Sequence, residues 1–310
     1  MTALICGSFA YDNIMVFPDQ FKNHILPDKV HMLNVCFLVP EMRREFGGCA
    51  GNIAYNLNLL GGDGKPMGAV GQDFAAYAEW MTEKQISQEF LLPVSDAFTA
   101  QAFITTDLDD NQITAFHPGA MNHAHEQVIP TDAGISLGLL SPDGRDAMLQ
   151  HAEQFDAAGI PFVFDPGQGL PMFNGEELLR FIELAEYITV NDYEAQLLQE
   201  RTGLSEVAIA QRVKALIVTR GAEGSVVYTE AETLQIPAVS VANIKDPTGC
   251  GDAYRAGLIF GLMNAMDWQT TCRIASLMGA IKIAHHGTQN HYFTMAEFAE
   301  QFEQAFSYRF

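Results

Sequence analysis

The segment Asp246-Pro247-Thr248-Gly249-Cys250-Gly251-Asp252, followed by AYRAGLIFGLMNAM, carries the strongest structural signal in the chain. Its second part predicts an apolar, buried helix, and the glycines leave the amides of the first helical turn accessible. Such a helix start binds anions through free N–H donors and the positive end of the helix dipole. We expect the dipole to keep Asp252 charged, which makes it a weak base that is well placed to accept a hydroxyl proton. A simple Asp N-cap is the alternative.

A second glycine cluster, Glu45-Phe46-Gly47-Gly48-Cys49-Ala50-Gly51-Asn52-Ile53-Ala54, leads into another predicted helix. Its glycines allow a ligand to approach the backbone closely, and Asn52 can make paired hydrogen bonds. A tight packing turn between strand and helix explains the cluster equally well. Asp12 follows a predicted strand end and can accept from two vicinal hydroxyls, although a solvated turn is the ordinary interpretation.

Short apolar runs alternate with longer amphipathic stretches along most of the chain. The predicted strands are Thr2–Gly7, Ile135–Leu140, Ile160–Phe164, Tyr187–Val190, Ala215–Thr219 and Ser225–Tyr228. The predicted helices are Asn52–Leu60, Gly144–Ala158, Gly175–Ala185, Asp192–Arg201 and Ser205–Lys214. This order predicts an α/β fold in which a mostly parallel central sheet carries helices on both faces.

Two segments depart from that alternation. Met15–Arg44 has no helical period, and Ala97–His117 alternates as a hairpin around Asp109-Asp110-Asn111. We expect them to form a small β-sheet lid, built from about 13–44 and 97–118, over a ligand site. Since no linker or internal repeat divides the chain, residues 1–310 are predicted to form a single domain.

The charge balance excludes two classes of partner. The 310 residues include 17 Lys+Arg and 38 Asp+Glu, for a formal net charge of −21. Nucleic acids and anionic membranes both require a basic surface, so neither is expected. A small phosphate site remains compatible with this acidity, because salt screens surface charges beyond about 8 Å.

The cysteines and the apolar runs indicate a cytoplasmic protein. The five cysteines (Cys6, Cys36, Cys49, Cys250 and Cys272) are scattered and odd in number, which favours a reducing compartment. No secretory signal or membrane-spanning run is recognised.

Other catalytic motifs are absent or out of context. Gly134-Ile135-Ser136-Leu137-Gly138 matches a hydrolase nucleophile elbow, but it has no strand before it and no helix after it. No dinucleotide-binding fingerprint and no Walker A loop occurs, so ATP would be bound without a P-loop. The pairs His123 and His125, and His285 and His286, lack the spacing of metal ligands.

Together, the two glycine motifs resemble the paired signatures of the ribokinase-like (PfkB-type) carbohydrate and nucleoside kinases. Seven stretches extend the resemblance over nearly the whole chain, and they are most similar to bacterial adenosine kinases and broad-specificity nucleoside kinases. These stretches are CGSFAYDN, ILPD, MRREFGGCAGN, ITAFHPGA, FDPGQGLP, VNDYEA and DPTGCGDAYRAG. The resemblance implies a ribokinase-like fold.

For the chemistry, the resemblance makes Asp252 the base that takes a proton from the primary hydroxyl of the substrate. It makes Gly249–Gly251 the backbone anion hole for the γ-phosphate of ATP, with Cys250 where most members have alanine. Asp12, Gly48 and Asn52 would hold ribose hydroxyls. Aromatic side chains of the lid are the candidates for stacking on the base or for packing within the lid: Phe116 and Phe37.

For the nucleotide, the resemblance implies that Thr219 and Gly221 approach the ATP phosphates and that Arg220 adds charge. The stretch Ile274–Gly287, which includes Ser276, would line the adenine pocket.

The resemblance also implies bound cations. Asn191 and Glu194 fall in an Asn-x-x-Glu element that organises Mg²⁺ mainly through water, although Asn191 alone is a good N-cap. Asp246 would help to form a monovalent-cation (K⁺) site.

The function predicted from the sequence is an ATP-dependent kinase for the 5′-hydroxyl of a nucleoside. Adenosine is the first choice, with inosine or guanosine as further substrates. A kinase for a free sugar such as ribose or fructose is the alternative within the same fold, and a non-catalytic nucleoside-binding protein is the alternative from another class. The chain is expected to be a monomer or a homodimer.

Overall fold

Two β-sheets organise residues 1–25, 34–109 and 111–310, which are the residues that the computed structural model describes. The strands, in chain order, are β1 Thr2–Cys6, β2 Ala10–Val16, β3 Glu41–Gly47, β4 Asp63–Gly71, β5 Phe90–Val94, β6 Ala100–Thr106, β7 Gln112–His117, β8 Ile135–Leu140, β9 Phe162–Phe164, β10 Tyr187–Asn191, β11 Ala215–Thr219, β12 Ser225–Tyr228 and β13 Thr233–Ile236. The helices are α1 Cys49–Leu59, α2 Ala75–Glu83, α3 Arg145–Ala157, α4 Gly175–Leu184, α5 Asp192–Thr202, α6 Glu206–Ala210, α7 Cys250–Met263, α8 Trp268–Ile283 and α9 Met295–Phe306.

The main sheet has helices on both faces, as predicted. Its strand order is β13-β12-β11-β10-β9-β8-β1-β4-β5, and every neighbouring pair from β11 to β5 is parallel. Alternate residues of β1 enter different cores: Ala3 and Ile5 pack with α1 and α7, whereas Leu4 and Cys6 pack with α3 and α4. A strand buried on both faces is typical of a parallel sheet between two helical layers.

The predicted elements of the main sheet are confirmed, with one error. The helix predicted over Ser205–Lys214 ends at Ala210. The chain leaves the helix early because the Arg212 amide bonds to Ile209 O in a tighter turn and the Lys214 amide donates to Glu186 O at 2.7 Å. That last bond leads directly into β11.

The small sheet has the order β3-β2-β6-β7, and β6 and β7 form the predicted antiparallel hairpin. It begins earlier than expected, because β2 starts at Ala10. Residues 26–33 and Asp110 lie outside the described residues, so part of the ILPD stretch, part of the predicted lid segment 13–44 and the middle of the hairpin turn are not described.

Ser136 lies inside β8 and donates to Thr2 O at 3.1 Å, which excludes an exposed nucleophile elbow. Among the described helices, none is long and apolar enough to cross a membrane.

Candidate active site

A cavity of about 1420 Å³ lies where the carboxyl ends of the parallel strands meet the small sheet. Ligands of open α/β sheets bind at this edge, because the loops that follow the strands converge there. Thirteen of the predicted site residues line the cavity: Asp12, Gly48, Asn52, Phe116, Asn191, Glu194, Thr219, Gly221, Gly249, Cys250, Gly251, Asp252 and Ser276. Sequence positions from 12 to 276 are thus brought to one place.

The turn before α7 leaves several amides unpaired. Gly249 has a left-handed backbone with φ 76°, and a Cβ there would lie 2.9 Å from Cγ2 of Thr288. The Cys250 amide donates to Pro247 O at 3.2 Å, but within the described residues the amides of Gly249, Gly251 and Asp252 have no acceptor. These donors stand at the positive end of a 14-residue helix, which is the arrangement that binds a phosphate.

Asp252 is held by a residue from the other glycine cluster. Asn52 Nδ2 donates to Asp252 Oδ2 at 2.7 Å. Burial raises the pKa of Asp252 to about 6, and the charge of Asp165 acts in the same direction, whereas the bond from Asn52 and the charge of Arg255 oppose the shift. We expected the helix dipole to make a weak base, but burial acts the other way. The carboxylate is therefore a stronger base than an ordinary aspartate.

The orientation of Asn52 is fixed from behind. Gln289 Nε2 donates to Asn52 Oδ1 at 3.0 Å, and Trp80 Nε1 donates to Gln289 Oε1 at 2.9 Å. Because the amide oxygen of Asn52 is occupied by Gln289, its NH₂ group faces Asp252. The expectation was that Asn52 holds ribose, and in this structure it supports the carboxylate.

A buried ion pair lies next to Asp252. Arg255 Nε and Nη2 donate to the two carboxylate oxygens of Asp165 at 3.0 and 2.9 Å, and both residues are buried. Arg255 Nη2 also lies 3.8 Å from Glu194 Oε2. The guanidinium therefore neutralises part of the negative charge of this cavity wall and keeps three carboxylates compatible in one place.

Asn191 and Glu194 are paired with each other at the start of α5. Asn191 Oδ1 accepts from the Glu194 amide, and the Asn191 amide and Nδ2 donate to the two oxygens of Glu194, all at 2.8 Å. This reciprocal capping box is the N-cap alternative of the sequence analysis. Both residues also line the cavity, and burial raises the pKa of Glu194 above its ordinary value.

The Gly47-Gly48 turn is required by packing. A Cβ on Gly48, whose φ is 88°, would lie 2.5 Å from Ser8 O and 2.6 Å from Ala10 N. No side chain fits that space, because the neighbouring atoms belong to the backbone. The tight packing turn therefore explains why glycine occupies position 48. Gly48 also forms part of the cavity wall.

Asp12 lies within β2, opposite Glu45 of β3, so its interpretation as a solvated turn residue is wrong. Burial raises the pKa of Asp12 to about 6, and the negative charges of Asp246 and Glu45 raise it further. Its carboxylate is packed against Gly47, where a Cβ would lie 2.6 Å from Asp12 Oδ2. The side chain thus presents a partly buried acceptor to the cavity.

On the other side of the cavity, Thr219, Gly221 and Ser276 line the wall, but Arg220 does not. The guanidinium of Arg220 donates to the hydroxyl of Tyr228 at 3.2 Å. From Ile274–Gly287, the part that lines the cavity is Ser276, Gly279, Ala280 and Ile283.

The two lid aromatics differ in position. Phe116 lies on β7, lines the cavity and is 49% exposed. Phe37 is not part of the cavity wall and packs against Phe17 and Phe21, with ring centroids 4.7 and 5.0 Å away. Only Phe116 is placed to meet a ligand.

The family model of the pfkB family carbohydrate kinases matches residues 19–294. The chain belongs to this family. The match confirms the family resemblance that the two glycine motifs indicated. It also confirms the predicted ribokinase-like α/β fold.

Several of the proteins that this pfkB-family chain resembles are nucleoside kinases. The chain is 30% identical over 274 residues to a nucleoside kinase of Methanocaldococcus jannaschii, covering 87% of this chain and 90% of the relative. The structure of Burkholderia thailandensis nucleoside kinase in complex with inosine is 54% identical, covers 99% of both chains and has a TM-score of 0.91. The same kinase in complex with ADP-inosine is 56% identical, covers 99% of this chain and 97% of the other, and has a TM-score of 0.88.

Sequence reasoning missed three residues of this pfkB-family site. Arg255 had a detectable signal, because a charged residue inside the apolar run AYRAGLIF must find a buried partner. Nothing local identified that partner as Asp165, and nothing local marked Gln289. Both become recognisable only when distant segments are placed together.

Proposed function

We propose that the chain is an ATP-dependent nucleoside kinase that phosphorylates the 5′-hydroxyl of the ribose. The observation that carries the proposal is the contact between Asn52 and Asp252 beside the unpaired amides of the α7 turn. That contact places the proposed base, Asp252, and the residue that supports it, Asn52, next to the proposed anion site. The nucleoside kinases to which the chain is similar add support for a nucleoside acceptor.

The proposed reaction uses Asp252 as the base. Its carboxylate takes the proton of the 5′-hydroxyl while that oxygen bonds to the γ-phosphorus, and the bond between this phosphorus and the bridging oxygen breaks to release ADP. With a pKa of about 6, Asp252 is ionised at neutral pH and still accepts a proton more readily than an ordinary aspartate. The free amides of the Gly249–Gly251 turn stabilise the charge on the phosphoryl oxygens.

The nucleoside is proposed to lie between the main sheet and the small sheet. Asp12 accepts from the ribose hydroxyls, Gly48 forms the wall beside them and Phe116 covers the base. Adenosine is the substrate that we propose first, on the sequence resemblance. Inosine is proposed as an equally good substrate, because the similar Burkholderia kinase was solved in complex with inosine.

ATP is proposed to occupy the opposite half of the cavity. Thr219 and Gly221 are close to its phosphates, and Ser276 with Ile283 and Ile244 bounds the adenine. The cavity volume of about 1420 Å³ supports two ligands side by side, since sites for one drug-sized ligand are about 300 to 1,000 Å³. The position of Arg220 against Tyr228 does not support a direct contact with phosphate.

Mg²⁺ is implied by the family, and the donor chemistry of the cavity fits it. Glu194 and Asn191 are oxygen donors at the wall but already bond to each other, and within the described residues no group of three or more His, Cys, Asp or Glu side chains forms a metal site. This arrangement fits binding through water rather than directly, which suits the hydration of Mg²⁺. When bound with ATP, the ion would neutralise phosphate charge.

The cytoplasmic location is part of the proposal. All five cysteines are free, which supports a reducing compartment.

The test is turnover and thermal stability across a panel of acceptors. We expect ADP release with adenosine, inosine and guanosine to exceed that with ribose or fructose at least about 100-fold in kcat/KM. 5′-Deoxyadenosine is the matched control: it should raise the melting temperature without being phosphorylated.

Two outcomes would contradict the proposal. Ribose or fructose as the best acceptor would make the chain a sugar kinase. A rise in melting temperature with nucleosides, without ADP release from any of them, would make it a non-catalytic binding protein.

A further inference from the structure

Lys282, in the last turn of α8, is completely buried. Its Nζ donates to Asp246 O at 2.7 Å and to His285 O at 3.1 Å. Lysine is almost never fully buried without partners, because removing an ammonium group from water is costly. The two main-chain carbonyls therefore form a specific binding site for the buried ammonium group.

The negative charge that balances Lys282 comes from Asp246. Its carboxylate accepts from the amides of Thr248 and Gly287, both at 2.9 Å. Although burial raises the pKa of Asp246, these amides and the charge of Lys282 hold it below its ordinary value, so the carboxylate stays ionised. Burial lowers the pKa of Lys282, and the negative charges of Asp246 and Asp252 oppose that shift.

The site is continuous with the anion-binding turn. Asp246 precedes Pro247, whose carbonyl accepts from the Cys250 amide at 3.2 Å, and Gly249 lies two residues after Pro247. On the other side, the loop that begins at His285 leads to Thr288, against which Gly249 is packed. The Lys282 ammonium thus joins the end of α8 to both segments that determine the position of Gly249.

The residues at Asp246 do not fit the monovalent-cation site that the resemblance implied. A K⁺ ion requires carbonyl and carboxylate oxygens, and the carbonyls of Asp246 and His285 already accept from the protein's own ammonium. A second cation there would meet the charge of Lys282 at short range.

We infer that Lys282 is a built-in cation that positions the Gly249–Gly251 turn for phosphate binding, so that this chain needs no monovalent metal ion. Lys282 is a positioning residue, since it acts on phosphate through the turn. The inference rests on the proposed function for its effect on activity, but not for its effect on the stability of the loop.

The activity test compares variants in tetramethylammonium chloride with the same variants in KCl or NH₄Cl. We expect the wild type to be equally active in all three salts. Lys282→Ala should lose about 100-fold in kcat in tetramethylammonium, because small displacements of positioning groups have effects of that size, and should recover several-fold in KCl or NH₄Cl. Lys282→Met fills the space with an apolar side chain. Its kcat should be lowered as much as that of Lys282→Ala, and neither KCl nor NH₄Cl should restore it.

The stability test has a readout that does not depend on catalysis. At 100 mM KCl the melting temperature of Lys282→Ala should rise by about 3 °C relative to tetramethylammonium, as expected when an ion binds the folded state. The wild type and Lys282→Met should show no such difference. Lys245→Ala is the matched control, because Lys245 is the exposed lysine next to Asp246 and should behave as the wild type.

Several results would overturn the inference. These are a wild type that loses activity without K⁺, a Lys282→Met variant with the wild-type kcat, or a Lys282→Ala variant that neither ion restores in activity or melting temperature. If Lys282→Ala does not fold, Lys282→Met decides by its kcat. If the wild type phosphorylates no nucleoside, the proposed function fails, and the melting temperatures alone decide the cation site.

Discussion

The two glycine turns look alike in sequence and differ in what their backbone amides do. Both contain a glycine with positive φ just before a helix, Gly48 at 88° and Gly249 at 76°. At α1, the amides of Cys49 and Ala50 donate to Ser8 Oγ and Ser8 O at 3.2 and 3.0 Å. At α7, the Cys250 amide donates to Pro247 O at 3.2 Å, but within the described residues the Gly251 amide, which matches that of Ala50, has no acceptor.

Because of this difference, packing explains the turn before α1, whereas the turn before α7 has the free donors that an anion site requires. A glycine before a helix shows only that a side chain does not fit or that the backbone is left-handed. The turn binds an anion when its amides are also left without partners. The first turn then contributes Asn52 to the site, and the second contributes the proposed phosphate donors and the proposed base.

The largest expected effect is the loss of the base at the second turn. Asp252→Asn should lower kcat by about 10³ to 10⁴-fold, near the upper range for a general base, while nucleoside binding changes little. Steady-state kinetics and nucleoside titration measure the two quantities. Asp146→Asn, an exposed acid in the first turn of α3, is the matched control. An Asp252→Asn variant with near wild-type kcat removes Asp252 from the reaction.

Alanine at each glycine should separate the two turns. Gly249→Ala should lower kcat by about 100-fold with a modest loss of stability, because its Cβ meets the side chain of Thr288. Gly48→Ala should destabilise the fold by about 3 kcal/mol or more, because its Cβ meets backbone atoms of residues 8 to 10. Denaturation and kinetics on both variants provide the measurements. Equal losses of stability would show that the two turns do not differ in this way.

The support of Asn52 predicts a smaller effect. Gln289→Met removes the donor that fixes Asn52, so we expect kcat/KM to fall by about tenfold. Because the bond from Asn52 lowers the pKa of Asp252, the acid limb of the pH profile should also move to higher pH. A merely structural role for Gln289 would leave that limb in place.

The pH dependence of the wild type is the mildest test. Burial raises the pKa of both Asp252 and Asp12 to about 6, and both are needed as carboxylates. Activity is therefore full above pH 7 and is lost as the pH falls through 6. Because both carboxylates must lose their protons, we expect kcat/KM to be more than about tenfold lower at pH 5 than at pH 8, with an acid limb steeper than one proton. A midpoint below pH 5 would be inconsistent with the burial of the Asp252 and Asp12 carboxylates.

Local signals predicted the groups that act within one segment. Asp252 and its glycines share a short motif with a physical reason for each residue, and Asn191 with Glu194 share a helix start. The partners Asp165 and Arg255 are 90 positions apart, and Asn52 and Gln289 are 237 apart. Such pairs depend on the strand order of the sheet, which no short pattern contains.

The same limit applied to the fold. β11 and β12 were predicted because their residues are apolar and largely β-branched, whereas β4 was missed. Its sequence, DGKPMGAVG, contains three glycines and a proline, which disfavour a strand by propensity. In the structure Gly68 of β4 lies against Gly7 O, where a Cβ would be 2.4 Å away, so a tertiary contact explains that glycine.

The separation of the contacts of the proposed catalytic site along the chain also bears on biosynthesis. Asn52 meets Asp252 across 200 positions and Gln289 across 237. A nascent chain that has emerged as far as β13 already contains the small sheet and all nine described strands of the main sheet, but neither the α7 turn nor Gln289. The proposed phosphate-binding edge would remain unfinished on the ribosome, and the proposed phosphoryl transfer would begin only when α7 and the segment that carries Gln289 dock onto α1.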